Sequence, residues 1–128
     1  MKKILIIDDE EAFCQLIKEN LEVTGNYEVI TATNGKSGVR AALEQRPDLI
    51  LLDIMMPVVD GIKVLKMLKS DEKTLSIPVV MLTAKDDEET KCEAASLFDD
   101  HYLVKPVEIA TLRATIEHVL SLRSKKEE

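Results

Sequence analysis

Three aspartates carry the most telling chemistry in this chain. Asp8 and Asp9 follow Ile4-Leu5-Ile6-Ile7, and Asp53 follows Leu49-Ile50-Leu51-Leu52, so each acidic position closes an unbroken aliphatic run. An ionised carboxylate is costly to bury unless it is paired or coordinates a cation, which puts these side chains at the edge of an apolar layer, facing a crevice. Carboxylates converging there repel one another, and they are tolerable only with a cation between them or with raised pKa values. A hard divalent ion resolves the conflict. Mg²⁺ takes oxygen ligands in octahedral geometry and keeps several waters, which suits one or two carboxylates, a backbone carbonyl and an incoming phosphoryl oxygen. Two more polar residues close apolar runs: Thr83 after Val79-Val80-Met81-Leu82, and Lys105 after Tyr102-Leu103-Val104. The lysine offers a point charge to an anion and the threonine a hydroxyl donor. Acid, metal, ammonium and hydroxyl together fit the handling of phosphate.

These residues converge only if the runs that carry them lie side by side. Continuous aliphatic runs too short for a membrane span, bounded by turn formers, read as strands buried on both faces, and several of them predict a parallel sheet. Strands are expected at 3–8, 27–32, 49–53, 79–83 and 101–104. Between them the period changes to helical. Phe13, Leu16, Ile17 and Leu21 form one stripe; Val39, Ala42 and Leu43 a second; Ile62, Leu65 and Leu68 a third; and Ile109, Leu112, Ile116, Val119 and Leu120 the last. A weaker fourth helix is expected over 86–97, with Ala94, Ala95, Leu97 and Cys92 as its thin apolar face. Gly25 and Pro47 close the first two helices, and Asp60-Gly61 marks a turn. Five strands alternating with five helices predict an open, doubly wound α/β sheet. In strand order 2-1-3-4-5 the ligand crevice falls between strands one and three, which end in Asp8-Asp9 and Asp53. That order separates Cys14 from Cys92, so both are expected to be reduced thiols.

At 128 residues and 45% hydrophobic the chain suits one compact core, expected over 1–123, with 124–128 a polar, frayed tail or the start of a linker. A formal charge of -7 without a basic block argues against direct nucleic-acid binding. With no apolar run of bilayer length and no leader pattern, a cytoplasmic protein without membrane contact is expected.

Taken jointly, Asp8-Asp9, Asp53 with Met56-Pro57, Thr83-Ala84 and Lys105-Pro106 give the chain its family likeness: from Ile4 to about Leu122 it resembles a response-regulator receiver domain, the phosphoacceptor module of two-component signalling, as in chemotaxis regulators. The resemblance implies a flavodoxin-like fold and Mg²⁺ held by Asp9, Asp53 and the main-chain carbonyl of Met55, with Asp8 acting largely through water. It implies that Asp53 accepts a phosphoryl group from a sensor histidine kinase or phosphotransfer protein. Lys105 would pair with that group and Thr83 would hydrogen-bond it. Tyr102 matches the family's switch aromatic, which would reshape the surface of the fourth helix, fifth strand and last helix for an output domain or partner protein. Met55 and Lys85 stand where receivers tune hydrolysis, and a cis bond is expected between Lys105 and Pro106.

At several points the chain departs from the family pattern or leaves alternatives open. Phe98-Asp99 replaces the usual Gly-Ala before the fifth strand, so either Asp99 or Asp100 is expected to take the cap role or the preceding helix to end differently there. A homodimer through the last two helices is left open, although Lys91, Asp100 and Arg113 offer little charge for one. The enzyme alternative is a Mg²⁺-dependent phosphatase with an Asp nucleophile, but Met55 stands where such enzymes carry their acid/base Asp. A degenerate receiver acting as a scaffold is opposed by the intact acids and Lys105. Tyr102 also suits plain strand filling. His101 and His118 show no paired ligand spacing and read as surface or satisfied structural histidines.

Overall fold

The structure is a computed structural model and describes residues 1–54, 61–84 and 101–127. Five strands form one parallel sheet: β1 Lys2–Ile7, β2 Tyr27–Ala32, β3 Leu49–Asp53, β4 Val79–Ala84 and β5 His101–Lys105, in the order β2-β1-β3-β4-β5. The helices among the described residues are α1 Glu11–Glu22, α2 Gly35–Gln45, α3 Gly61–Ser70 and α4 Ile109–Glu127. The expected helix over 86–97, with Cys92, and the Phe98-Asp99 departure lie outside the described residues.

Strand alternation explains why the aliphatic runs are continuous. Successive side chains point to opposite faces, so a central parallel strand must be apolar at every position. Ile4, Ile6, Leu49, Leu51, Val80 and Leu82 join α1 and α4 through Cys14, Ile17, Leu21, Leu112 and Ile116. Leu5, Ile7, Ile50, Leu52, Val79 and Met81 join α2 and α3 through Ala42, Ile62, Leu65 and Leu68. The sheet thus divides two cores, with the first and last helices on the same side, as the strand order requires.

Local chemistry sets the element ends. Asn34 accepts the Ser37 N–H at 2.9 Å and caps α2, whose other end closes on Arg46 in the left-handed region at φ 47° just before Pro47. Gly25, two residues past the C-cap of α1, takes φ 78°, where a glycine carries no Cβ penalty. Gly61 opens α3 against the β3 exit: a Cβ there would lie 2.7 Å from the Asp53 carbonyl oxygen and 2.8 Å from the Ile54 carbonyl carbon.

One expectation is corrected. Leu16, placed on the inward stripe of α1, is 51% exposed, and Cys14, Ile17 and Leu21 are the buried positions. The thiol at 14 sits three and seven residues before the other two, in phase with them, whereas Leu16 flanks that line. The last helix continues through Glu127, whose run Ser124-Lys125-Lys126-Glu127 contains good helix formers and no breaker. Arg113 is committed within the fold, donating to the Asn20 carbonyl at 2.6 Å and tying α4 to α1.

Candidate functional site

The acidic positions meet at the carboxyl edge of the sheet. β1 and β3 are neighbours, with Ile7 opposite Leu52, so the residues that follow come out side by side. The ladder continues past both strands: the Asp8 N–H donates to the Ala32 carbonyl at 3.0 Å and the Ile54 N–H to the Leu82 carbonyl at 3.1 Å. Carboxylate oxygens of Asp8, Asp9 and Asp53 all lie within 4.8 Å of one another. Asp8 is fully buried, Asp53 is 4% exposed and Asp9 faces solvent.

Lys105 reaches this cluster from β5. Its ammonium lies 2.7 Å from Asp8 Oδ2, 3.3 Å from Glu10 Oε1 and 3.5 Å from Asp53 Oδ2. The Phe13 ring covers another side, with Nζ 4.5 Å from its centroid, a cation–π distance. Asp8 also accepts the Glu10 backbone N–H at 2.9 Å, and its own carbonyl accepts the Cys14 thiol at 3.3 Å.

The protonation equilibria follow from one ammonium shared among several carboxylates. Burial pushes the Asp8 carboxyl above its ordinary range; the Lys105 hydrogen bond opposes this, and the nearby Asp53 charge adds to it. For Lys105, burial alone would lower the pKa. The hydrogen bond to Asp8 and the charges of Asp53, Asp8 and Glu10 together outweigh burial, so Lys105 titrates above its ordinary value. The ammonium has several partners, while each acid has a share of one cation and an acidic neighbour. The site therefore has spare negative charge, and its donor set of hard carboxylate oxygens fits a divalent cation such as Mg²⁺.

Strand parity sorts the site residues. Asp8 continues the line of Ile4 and Ile6, Asp53 that of Leu49 and Leu51, and Lys105 that of Leu103, all on the α1–α4 side. Thr83 continues the line of Val79 and Met81 on the α2–α3 side and is fully buried. Met81 pairs with Tyr102 and Thr83 with Val104, so Thr83 and the 48% exposed Tyr102 share a face as diagonal neighbours. Lys105-Pro106 is a cis bond. Met55, Met56-Pro57 and Lys85 lie outside the described residues. Glu10 and Phe13 join the site although sequence spacing ranks neither as functional. Glu10 reads as an acid favouring a helix start, and Phe13 as one more apolar residue of α1.

A model of the response regulator receiver domain matches residues 4–117. The chain belongs to the response regulator receiver family. This receiver is 43% identical over 119 residues to the alkaline phosphatase synthesis transcriptional regulatory protein PhoP of Bacillus subtilis, covering 93% of the chain and 48% of that protein. It is 38% identical over 121 residues to protein PilH of Pseudomonas aeruginosa, covering 94% of the chain and 99% of that protein. Among solved structures, a CheY-like receiver domain protein from Methanospirillum hungatei JF-1 superposes with a TM-score of 0.90 at 27% identity, covering 98% of each chain. The receiver spans about half the length of PhoP, RpaA and the P. aeruginosa PhoB, at 48%, 49% and 52%. Receivers generally bind Mg²⁺ at an acidic pocket, and the Asp8-Asp9-Asp53 cluster supplies one here. Among the described residues no helix is long and apolar enough to cross a membrane.

Proposed function

We propose that this receiver is a phosphorylation switch in which Asp53 takes a phosphoryl group from a phosphohistidine on a sensor histidine kinase or phosphotransfer protein, on the cytoplasmic side of the cell. The observation that carries this reading is the placement of the Lys105 ammonium 3.5 Å from Asp53 within a cluster of three carboxylates. An Asp53 oxygen attacks phosphorus in line, the bond from phosphorus to the histidine nitrogen breaks, and an acyl phosphate forms. Such transfer requires alignment and neutralisation of spread negative charge more than covalent help. Lys105 supplies one fixed positive charge, and Thr83 a hydroxyl at the same rim. Asp9, Asp53 and the Met55 carbonyl would hold Mg²⁺, with Asp8 through water; the ion would neutralise phosphoryl charge. The receiver core is taken as 1–123, with 124–128 leading outward.

Output follows from the face that Thr83 shares with Tyr102. Movement of Thr83 toward the phosphoryl group frees space for the Tyr102 ring to turn inward, changing the surface of β5, α4 and the segment before β5. An output domain or partner protein reads that surface. Met55 and Lys85 set the lifetime of the signal: an apolar side chain at 55 cannot orient an attacking water, so the acyl phosphate is long-lived. Met55→Asn is expected to speed its hydrolysis several-fold, and an unchanged rate refutes that role.

The central test is incubation with Mg²⁺ and a small acyl phosphate, followed by intact mass and peptide mapping. One phosphoryl group on Asp53, lost in Asp53→Asn and on chelation of Mg²⁺, supports the reading. An unmodified chain leaves the scaffold alternative instead.

A further inference from the structure

The chain has two histidines, and the fold brings them together. His101 opens β5 and His118 lies on α4; their ring centroids are 6.0 Å apart with planes at 89°. Both are exposed at the rim of a groove of about 560 Å³ between β5 and α4, whose helix side is lined by the small residues Ala110, Thr111, Ala114 and Thr115. This pair is remote from the acidic cluster in register: Lys105 closes the opposite end of the strand that His101 begins.

We propose that His101 and His118 form a second cation site, selective for borderline transition-metal ions such as Zn²⁺. Imidazole nitrogen suits Zn²⁺, Ni²⁺ and Cu²⁺, whereas the all-oxygen acidic cluster suits Mg²⁺, so ligand softness assigns different ions to the two sites. The geometry admits bridging. A Zn–N bond of about 2.0–2.1 Å puts the ion about 3.2 Å from a ring centroid, so two such arms span about 5.2 Å at a tetrahedral angle and about 6.4 Å when opened straight. The observed 6.0 Å lies between these limits, and a small rotation of two exposed rings brings it to the tetrahedral value. The ion must lie in the plane of each ring, which perpendicular rings satisfy along the line where their planes meet. Among the described residues the pair belongs to no cluster of three or more His, Cys, Asp or Glu ligands, and the small-residue groove gives room for water at the remaining coordination positions. A bound ion clips the edge strand β5 to α4 beside Tyr102, on the surface assigned above to output.

The competing account is an edge-to-face ring pair with no ligand, a common arrangement at this centroid distance. The two are separated by titrating the untagged full chain with Zn²⁺ in excess Mg²⁺ while following the imidazole nitrogens by NMR, which two histidines leave free of overlap. Both rings are expected to shift together and saturate at one equivalent. His101→Gln and His118→Gln should each weaken Zn²⁺ affinity by at least about tenfold, because either leaves a single protein nitrogen. Without Zn²⁺ both variants should keep the native urea midpoint, since both residues are exposed. Asp9→Asn should bind Zn²⁺ like the native chain. Rings that do not shift, a single shifted ring, or affinity that survives either His variant would overturn the site. Loss of binding in Asp9→Asn would do so equally.

Discussion

Replacing Lys105 by methionine removes the charge that the buried acids share while keeping most of the side chain's volume. At an effective dielectric near 20, an ammonium 2.7 Å from Asp8 and 3.5 Å from Asp53 gains about 6 and about 5 kcal/mol of Coulomb energy, before any desolvation cost. Much of this repays the dehydration of Lys105 itself. Breaking a buried pair typically costs about 3–5 kcal/mol, and the 21% exposure of the Lys105 side chain lowers the expectation to about 2–3 kcal/mol. The native contribution is fully present at pH 7, because Lys105 titrates above its ordinary value and its contribution is lost only as pH rises through that folded pKa. In the variant, Asp8 loses its cation, so its folded pKa rises further above the unfolded one. A carboxyl with a raised folded pKa favours the folded state at low pH and loses that advantage as pH climbs. The stability gap between native and variant chains should therefore be widest near pH 7 and close toward pH 5. Urea unfolding followed by circular dichroism in metal-free buffer measures it at each pH. Added Mg²⁺ should narrow the gap at pH 7 by taking over part of the neutralisation. A gap below about 1 kcal/mol that does not change with pH would refute the shared-ammonium account.

Gly61→Ala sets propensity against sterics: alanine favours a helix by about 1 kcal/mol, but its Cβ would stand inside contact distance of the Asp53 and Ile54 backbone. Overpacking should prevail, with a net loss of about 1–2 kcal/mol in urea unfolding, and a more stable variant would contradict the close approach. Arg46→Gly should raise stability by about 0.5–1 kcal/mol, since relief of the left-handed penalty exceeds glycine's entropic cost; thermal and urea melts read it directly. Burial raises the Cys14 thiol from 9.0 to about 11, and the residue is 2% exposed. The unfolded chain then loses this proton first, so the thiol's contribution is intact below pH 9 and falls away between pH 9 and 11. That loss is on the order of 2–3 kcal/mol. Cys14→Ala should show a correspondingly shallower decline over that window, and parallel pH profiles would count against it.

The sheet and the acidic cluster were legible in the sequence because their causes are local in the chain. Each central strand must be apolar at every position, and a carboxylate ending such a run can go only to the open edge. The strand order then brings Asp8 and Asp53 together without further information. Glu10 and Phe13 were not legible as partners of Lys105, which lies more than ninety positions away, because each already had a sufficient local explanation. The His101–His118 contact has no linear signature at all: it joins an edge strand to a helix whose phase is set by Leu112 and Ile116 on its other side. Leu16 was misread because a helix offers two adjacent apolar stripes and only packing chooses between them.

The division of the core by strand parity has a practical side. The carboxylates and Lys105 stand in columns that run down into the α1–α4 core, so repacking Ile6, Ile17 or Leu51 tilts the platform on which the charges sit. The α2–α3 core shares the same strands but faces away from that platform. Anyone wishing to harden this domain for use as a sensor component should therefore fill and stiffen the α2–α3 side away from Thr83 and Gly61, where gains in stability leave the charge geometry alone. The α1–α4 side is better kept for tuning it.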